Sequence, residues 1–283
     1  MNVRMKEHAA LLVRFLSFHF EAQGELAPGH QTLLESVRYS LLQEGGKRFR
    51  PVLAMLTAEA LGQRAERVLP FGAAIECIHT YSLIHDDLPA MDNDDMRRGQ
   101  PTNHRKYDEA TAILAGDALL TEAFQIIADN YSAEPALGLR AVAEAAKAAG
   151  LYGMVGGQGI DVKSKTENIS AIELREMHDL KTGALIRVSA VGAAILCGAN
   201  PSQQNDLTVF AENLGLAFQV ADDILDYDPS KPEPGSYPAL LGVEKTRAFL
   251  DELTETCLAT LGRWPATAEP LRQIAIYNRA RLV

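Results

Sequence analysis

The sequence predicts an all-α protein, a single large helical bundle around a central cavity. Apolar residues recur at spacings of three and four through 5–20, 31–43, 51–61, 67–85, 109–129, 137–151, 171–197, 206–226 and 238–261. Strand-like alternation is hard to find. The breaks "EGGKRFRP", "ALGQ", "LPAMDNDD", "MVGGQG" and "CGANPSQ" carry the Gly, Pro and Asn that end helices.

Taken in order, 5–20 mixes Arg4, Lys6, Glu7 and Arg14 with its apolar positions, so it reads as an amphipathic helix and not a signal peptide. Pro51 suits the first turn of the helix that follows the basic turn Lys47, Arg48 and Arg50. The stretch 67–85 is apolar up to its acidic end, where Pro89 stops or distorts the helix. Ala-rich "AVAEAAKAAG" suits close packing inside a bundle. Ser170 and Glu173 have capping-box spacing ahead of "AIELREMHDLKTGALI". Gly183 inside that helix costs roughly 1 kcal/mol relative to Ala, which marks a kink presenting a carbonyl and the Thr182 hydroxyl. About ten such helices in one domain, 1–283, would build a site from facing side chains.

Composition narrows the function. With 283 residues, 47% of them hydrophobic, the chain suits one large domain, or at most two. A formal charge of −10 argues against nucleic acid as a main partner. Cys77, Cys197 and Cys257 are far apart and odd in number, as expected of reduced thiols in a cytoplasmic protein. No uncharged apolar run approaches the roughly 18 residues of a spanning helix, so no integral membrane association is expected.

Chemistry concentrates in two acidic clusters. "LIHDDLPAMDNDDMRRGQPTNH" places Asp86, Asp87, Asp92, Asp94 and Asp95 just ahead of Arg97 and Arg98. Asp86 and Asp92 would lie about 120° apart on a regular helix, but a chain broken at Pro89 can bring Asp92 back beside Asp86. In "FQVADDILDYD", Asp222 and Asp226 share one helix face and repel each other. An isolated acidic helix end is most often a solvated cap. Two of them ending apolar helices, one beside an arginine pair, point instead to hard, oxygen-seeking magnesium that shares its shell with a substrate phosphate. Glu76 and His79 have the Glu-x-x-His spacing of a di-iron bundle, which needs two such pairs; only one is found, so His79 requires another role. Lys47, Arg48 and Arg50 at a Gly-Gly turn before a helix offer an anion site. An exposed basic turn is the plain alternative.

In series, "GGKRFRP", "IHTYSLIHDDLPAMDNDDMRRGQPTNH", "EATAILAGDALL", "GMVGGQGID", "MHDLKTGALI", "LGLAFQVADDILD" and "YPALLG" resemble the ordered motifs of the trans-prenyl diphosphate synthases. Within that family the chain is most similar to the bacterial farnesyl diphosphate-forming branch. The resemblance implies an all-helical cytoplasmic homodimer that joins isopentenyl diphosphate head-to-tail to dimethylallyl or geranyl diphosphate with Mg2+. It implies that Asp86, Asp92 and Asp222 hold magnesium on the allylic diphosphate, assisted by Asp87 and Asp226. Arg97, Lys181, Thr182 and Gln219 would face the allylic substrate; Lys47, Arg50, His79 and Arg98 would hold the isopentenyl diphosphate. Tyr81, about 7.5 Å along the helix before Asp86, would floor the pocket for the growing chain. Geranylgeranyl diphosphate synthesis, class I terpene cyclisation and a non-catalytic regulatory subunit are the competing readings. The chain departs from the family pattern between Asp226 and Tyr237, where ten residues, "YDPSKPEPGS", with Lys231 the one lysine, stand in place of a longer Gly- and Lys-containing loop. That leaves either a true shortening or a missing mobile segment. Arg279 and Arg281 would close over the isopentenyl pocket or remain solvated.

Overall fold

The structure, a computed structural model, describes residues 3–22, 24–166, 169–230 and 236–281; Lys231 lies outside them. The described elements begin with α1 (Val3–His19), α2 (Pro28–Leu41), α3 (Phe49–Ala60) and α4 (Leu69–Asp86). A short hairpin follows, β1 (Met96–Arg97) with β2 (Gln100–Pro101), then α5 (Asn103–Lys106), α6 (Glu109–Asn130), α7 (Pro135–Ala149) and α8 (Met154–Ser164). Next come α9 (Ala171–His178), a π-helical turn Asp179–Gly183, α10 (Ala184–Leu196) and α11 (Pro201–Asp226). The last three are α12 (Tyr237–Leu241), α13 (Val243–Thr260) and α14 (Glu269–Ala280). The all-α expectation holds, with one two-residue hairpin that period-two patterning is too long a test to detect.

Local chemistry explains several boundaries. The box at the head of α9 forms as its spacing predicts: Ser170 Oγ accepts from Glu173 N, and Ser170 N donates to the Glu173 carboxylate. Asn200 and Gln203 make a second box at α11. "MVGGQG" is not a break; it opens α8, and its Gly156 and Gly157 lie close against other backbone while Gly159 faces open space. The segment 238–261 divides at Gly242, whose φ of 82° ends α12.

Two compact units divide the chain, Met1–Met55 with Val68–Val142, and Leu56–Arg67 with Ala143–Val283. In the first, α4 lies along α6, and α1 and α2 also pack on α4. On α1, His8, Leu12 and Leu16 recur every four residues and are buried. Helix α4 is apolar nearly all round and buries Phe71, Ile75, Ile78 and Ile84; each such side chain contributes roughly 1.5–3 kcal/mol. Among the described residues α6 is the one helix long and apolar enough to cross a membrane, with mean hydropathy 1.4; it packs on α2, α4 and α5.

In the second unit α11 packs between α10 and α13, burying Leu207, Phe210, Leu214 and Val220. The π-helical turn is clasped by two glycines. A Cβ on Gly157 of α8 would stand 2.2 Å from the backbone nitrogen of Lys181, and one on Gly215 of α11 would stand 3.2 Å from Gly183 Cα. At Gly157 the backbones approach too closely for any side chain; at Gly215 the fit is tight, and a methyl group would push the turn away by a few tenths of an ångström. Cys77 and Cys257 are buried and Cys197 half-buried, all as free thiols.

Candidate active site

In the first unit α4 ends at Asp86 and the chain folds back at once. Met91 N and Asn93 N donate to Leu88 O, and Asp92 N donates to Asp86 O at 2.9 Å. Asn93, at φ 56°, makes the reversal. The backbone of Asp92 thus returns to that of Asp86, the return expected of a chain broken at Pro89. The hairpin comes next, with Arg98 and Gly99 both at positive φ (52° and 78°), the backbone of a type I′ turn.

Arg97 and Arg98, adjacent in sequence, have different surroundings. Arg97 Nε and Nη2 both donate to the buried Asp87 carboxylate, at 2.6–2.9 Å. Burial pushes the Asp87 carboxyl above its usual range despite the guanidinium, and the hydrogen bond from Arg97 raises the Arg97 pKa in turn. Arg98 is exposed in the turn, with a guanidinium lowered by partial desolvation and by Arg48.

Beside the hairpin lies a cluster of basic side chains. Arg48, held at φ 48°, donates to Glu76 Oε1 at 2.7 Å and to Gln43 O at 2.8 Å. Arg50 is lowered to about 10, first by burial, and its Nε is buried with no hydrogen-bond partner. Burial, then Arg50, Arg98, Arg48 and Arg97, hold His79 well below the ordinary imidazole range, so it is neutral at pH 7. Lys47 is exposed at the mouth of the turn. Of the residues expected to bind isopentenyl diphosphate, Arg50, His79 and Arg98 therefore lie within electrostatic reach of one another, and Lys47 is exposed on the adjoining turn. Tyr81 is buried on α4 with its ring edge-on to His85 at 5.7 Å, and burial pushes its hydroxyl up to about 12.

The second unit contains a cavity of about 240 Å³ lined by Asp161, His178, Lys181, Gln219, Asp223 and Asp226, among others. Lys181 Nζ donates to Asp161 Oδ2 at 2.7 Å. Gln219, Asp223 and Asp226 come from one face of α11, at i, i+4 and i+7. Thr182 is half-buried in the π-helical turn. Asp222 does not line this cavity; it accepts from Arg281 Nη2 at 2.5 Å, and Arg281 also reaches Asn278 and stacks 5.7 Å from the Phe218 ring. Arg279 pairs with Glu255 and Asp251. Burial lowers His178 to about 4; its ring meets Tyr237 edge-on, and Nδ1 is buried without a partner.

Among the described residues no three His, Cys, Asp or Glu side chains converge as a ready-made metal cage. The donor set still fits magnesium, whose usual sites take one or two carboxylates and complete the shell with water and phosphate oxygens. Sequence reasoning passed over Asp161, Asp223 and His178, and weighed Glu76 only as half of a metal motif. The spacing Gln219, Asp223, Asp226 was the available signal for Asp223; the other three depend on contacts made across the fold.

The chain is all-α, with an acidic end to α4 and an arginine cluster in the first unit and an acidic end to α11 and a lysine-bearing π-helical turn in the second. Residues 30–235 match the polyprenyl synthetase family, and the chain belongs to it. It is 47% identical over 242 residues to the farnesyl diphosphate synthase of Micrococcus luteus, covering 81% of this chain and 82% of that one. It is 42% identical over 268 residues to a geranylgeranyl diphosphate synthase of Cyanophora paradoxa, covering 89% of each. A solved FPP/GFPP synthase from Zymomonas mobilis superposes with TM-score 0.89 at 37% identity, covering 96% of both chains.

Proposed function

We propose that this prenyltransferase condenses isopentenyl diphosphate with dimethylallyl or geranyl diphosphate to give farnesyl diphosphate. The carrying observation is the basic cluster at α4: neutral His79 beside Arg50 and Arg98, on the helix that ends in the first acidic motif. We read it as a second diphosphate site, in addition to the one the acids would serve. A class I cyclase, which binds one diphosphate, has no use for it, and a regulatory subunit has no use for intact acidic motifs.

By the family resemblance Asp86, Asp92 and Asp222, assisted by Asp87 and Asp226, would hold Mg2+, and the ion would supply Lewis-acid stabilisation of the allylic diphosphate as a leaving group. Arg97, Lys181, Thr182 and Gln219 orient the allylic diphosphate, and the two cations offset the charge its oxygens gain as the C–O bond breaks. Lys47, Arg50 and Arg98 bind the isopentenyl diphosphate by charge, and neutral His79 contributes a hydrogen bond. Held so, the isopentenyl double bond attacks the allylic carbon, a C–C bond forms, and the released diphosphate takes the proton lost from the isopentenyl unit. Exclusion of water protects the cation until then. No side chain is assigned as nucleophile or base.

Similarity to farnesyl diphosphate synthases at 43–47% identity supports the fifteen-carbon product. Geranylgeranyl diphosphate is the second reading, supported by the similarity to synthases of that product. We take residues 1–283 to act as one catalytic domain in a cytoplasmic homodimer without integral membrane association. Product chromatography decides the assignment: purified protein with both substrates and magnesium should release diphosphate and yield farnesol after phosphatase treatment. No turnover by metal-replete protein rejects the reading, and hydrocarbon from farnesyl diphosphate alone would replace it with cyclisation.

A further inference from the structure

Four arginines bear on His79: Arg48, Arg50, Arg97 and Arg98. Two are already matched by buried carboxylates, Arg48 by Glu76 and Arg97 by Asp87. Arg50 and Arg98 have no carboxylate partner among the described residues, and Arg50 Nε is buried with no hydrogen bond at all. The arginines around His79 therefore separate into two held by carboxylates and two without one, the latter pair being those assigned to isopentenyl diphosphate. Glu76 decides which member of the basic turn is pinned.

Glu76 is 2% exposed, in the middle of α4. Its partner Arg48 has a left-handed backbone, which a non-glycine residue keeps only when its surroundings hold it there. The hold is visible. Arg48 Nη1 donates to Glu76 Oε1 at 2.7 Å and Nη2 to Gln43 O at 2.8 Å, while Gln43 Nε2 donates to Arg97 O at 2.9 Å. One chain of hydrogen bonds thus runs from α4 through the basic turn and the end of α2 into the arginine hairpin. The two guanidinium groups also close on the turn: a Cβ on Gly46 would meet Arg98 Nη1 at 2.8 Å and Arg48 Cζ at 3.1 Å.

We propose that Glu76 is a positioning residue for isopentenyl diphosphate: by fixing Arg48 it holds the basic turn and the arginine hairpin so that Lys47, Arg50 and Arg98 converge, unpaired, on one diphosphate. The inference rests on the functional reading above and adds to it a residue that does not touch substrate. Two physical effects oppose each other in its test. Glu76→Gln removes one negative charge from beside a diphosphate site, which by Coulomb's law alone tightens anion binding. The same substitution leaves Arg48 buried without its counter-charge, free to abandon the turn, which weakens binding.

The test titrates the full-length protein and its Glu76→Gln and Arg48→Gln variants with isopentenyl diphosphate in a calorimeter, then measures KM for each substrate. We expect Kd and KM for isopentenyl diphosphate to rise on the order of tenfold to a hundredfold, as when one partner of a buried charge pair is lost. KM for the allylic diphosphate should stay within about twofold, and the double variant should be no worse than either single one, because the two residues act as a unit. Unchanged or tighter binding by Glu76→Gln overturns the inference in favour of simple charge, and equal weakening toward both substrates overturns it in favour of a general fold role. Should Glu76→Gln fail to fold, the double variant, which leaves neither charge buried alone and keeps the net charge of the pair at zero, is held to the same criteria. If wild type binds no isopentenyl diphosphate, the functional reading fails first and takes this inference with it.

Discussion

Lys181 donates to Asp161 at 2.7 Å across two helical segments, with the ammonium about a third exposed and the carboxylate more enclosed. The lysine is held at the edge of its cavity before any ligand arrives. Asp161→Asn keeps an acceptor but loses the charge, so Lys181 becomes less ordered. KM for the allylic diphosphate is expected to rise roughly three- to tenfold, about the effect of one charge-assisted hydrogen bond, with isopentenyl KM unchanged. Equal KM values in variant and wild type would show the pair to be incidental.

Gly157 fixes that lysine from the other side. A methyl group there would collide with the Lys181 backbone, so Gly157→Ala must displace either α8 or the π-helical turn. Overpacking of this kind costs about 1–3 kcal/mol, a fall in melting temperature of several degrees for a chain of this size. Calorimetric melting together with allylic-diphosphate affinity should report both losses; a variant that melts like wild type would mean that the helices part without cost.

For the acidic motifs, Asp86→Ala and Asp222→Ala are each expected to reduce turnover by about a hundredfold or more, the scale of losing an electrostatic stabiliser of the leaving group. Stability should change by only about 1 kcal/mol, since the Asp222–Arg281 pair is part-exposed. Chelation should reproduce the loss reversibly. Either variant retaining full activity in magnesium would remove that residue from the metal site.

Tyr81→Ala should deepen the pocket and shift product from fifteen toward twenty or more carbons while leaving ionisation intact, because no charge at the aspartates changes. Truncating a buried aromatic costs roughly 3–5 kcal/mol, so product chromatography belongs well below the variant's melting temperature. An unaltered product profile in active protein would reject Tyr81 as the floor.

Acid should destabilise the protein through His178. Its folded pKa is near 4, against about 6.5 unfolded. Between those values the unfolded chain binds more protons, so the contribution is complete above pH 6.5 and is lost as pH falls toward 4, at up to ~1.4 kcal/mol per pH unit. His79 acts in the same direction. Urea midpoints measured from pH 7 to pH 5 should fall less steeply in His178→Gln than in wild type; parallel curves would rule His178 out as a source of the slope.

How far the chain alone revealed all this follows from what each feature depends on. Helix faces and the Ser170–Glu173 cap were legible because they depend on neighbours three and four residues away, and α4 announced its acidic end through Pro89. The π-helical turn was legible only as a kink at Gly183, since what shapes it is the approach of Gly157 and Gly215 from remote segments. The same reason hid α8: a glycine needed for contact looks, in one dimension, like a glycine that stops a helix. Glu76 was read as half of a metal motif because its partner Arg48 is twenty-eight residues away.

Helix α4 carries Glu76, His79, Tyr81 and Asp86 on a single rigid rod, with about 15 Å between the first and the last. That spacing is fixed by backbone hydrogen bonds and not by side-chain choice. A lineage can therefore rewrite the apolar positions of this rod, and so the length of the molecule it manufactures, while the separation of its two ends drifts not at all. Product size becomes a trait free to evolve on its own, insulated from the reaction that makes it.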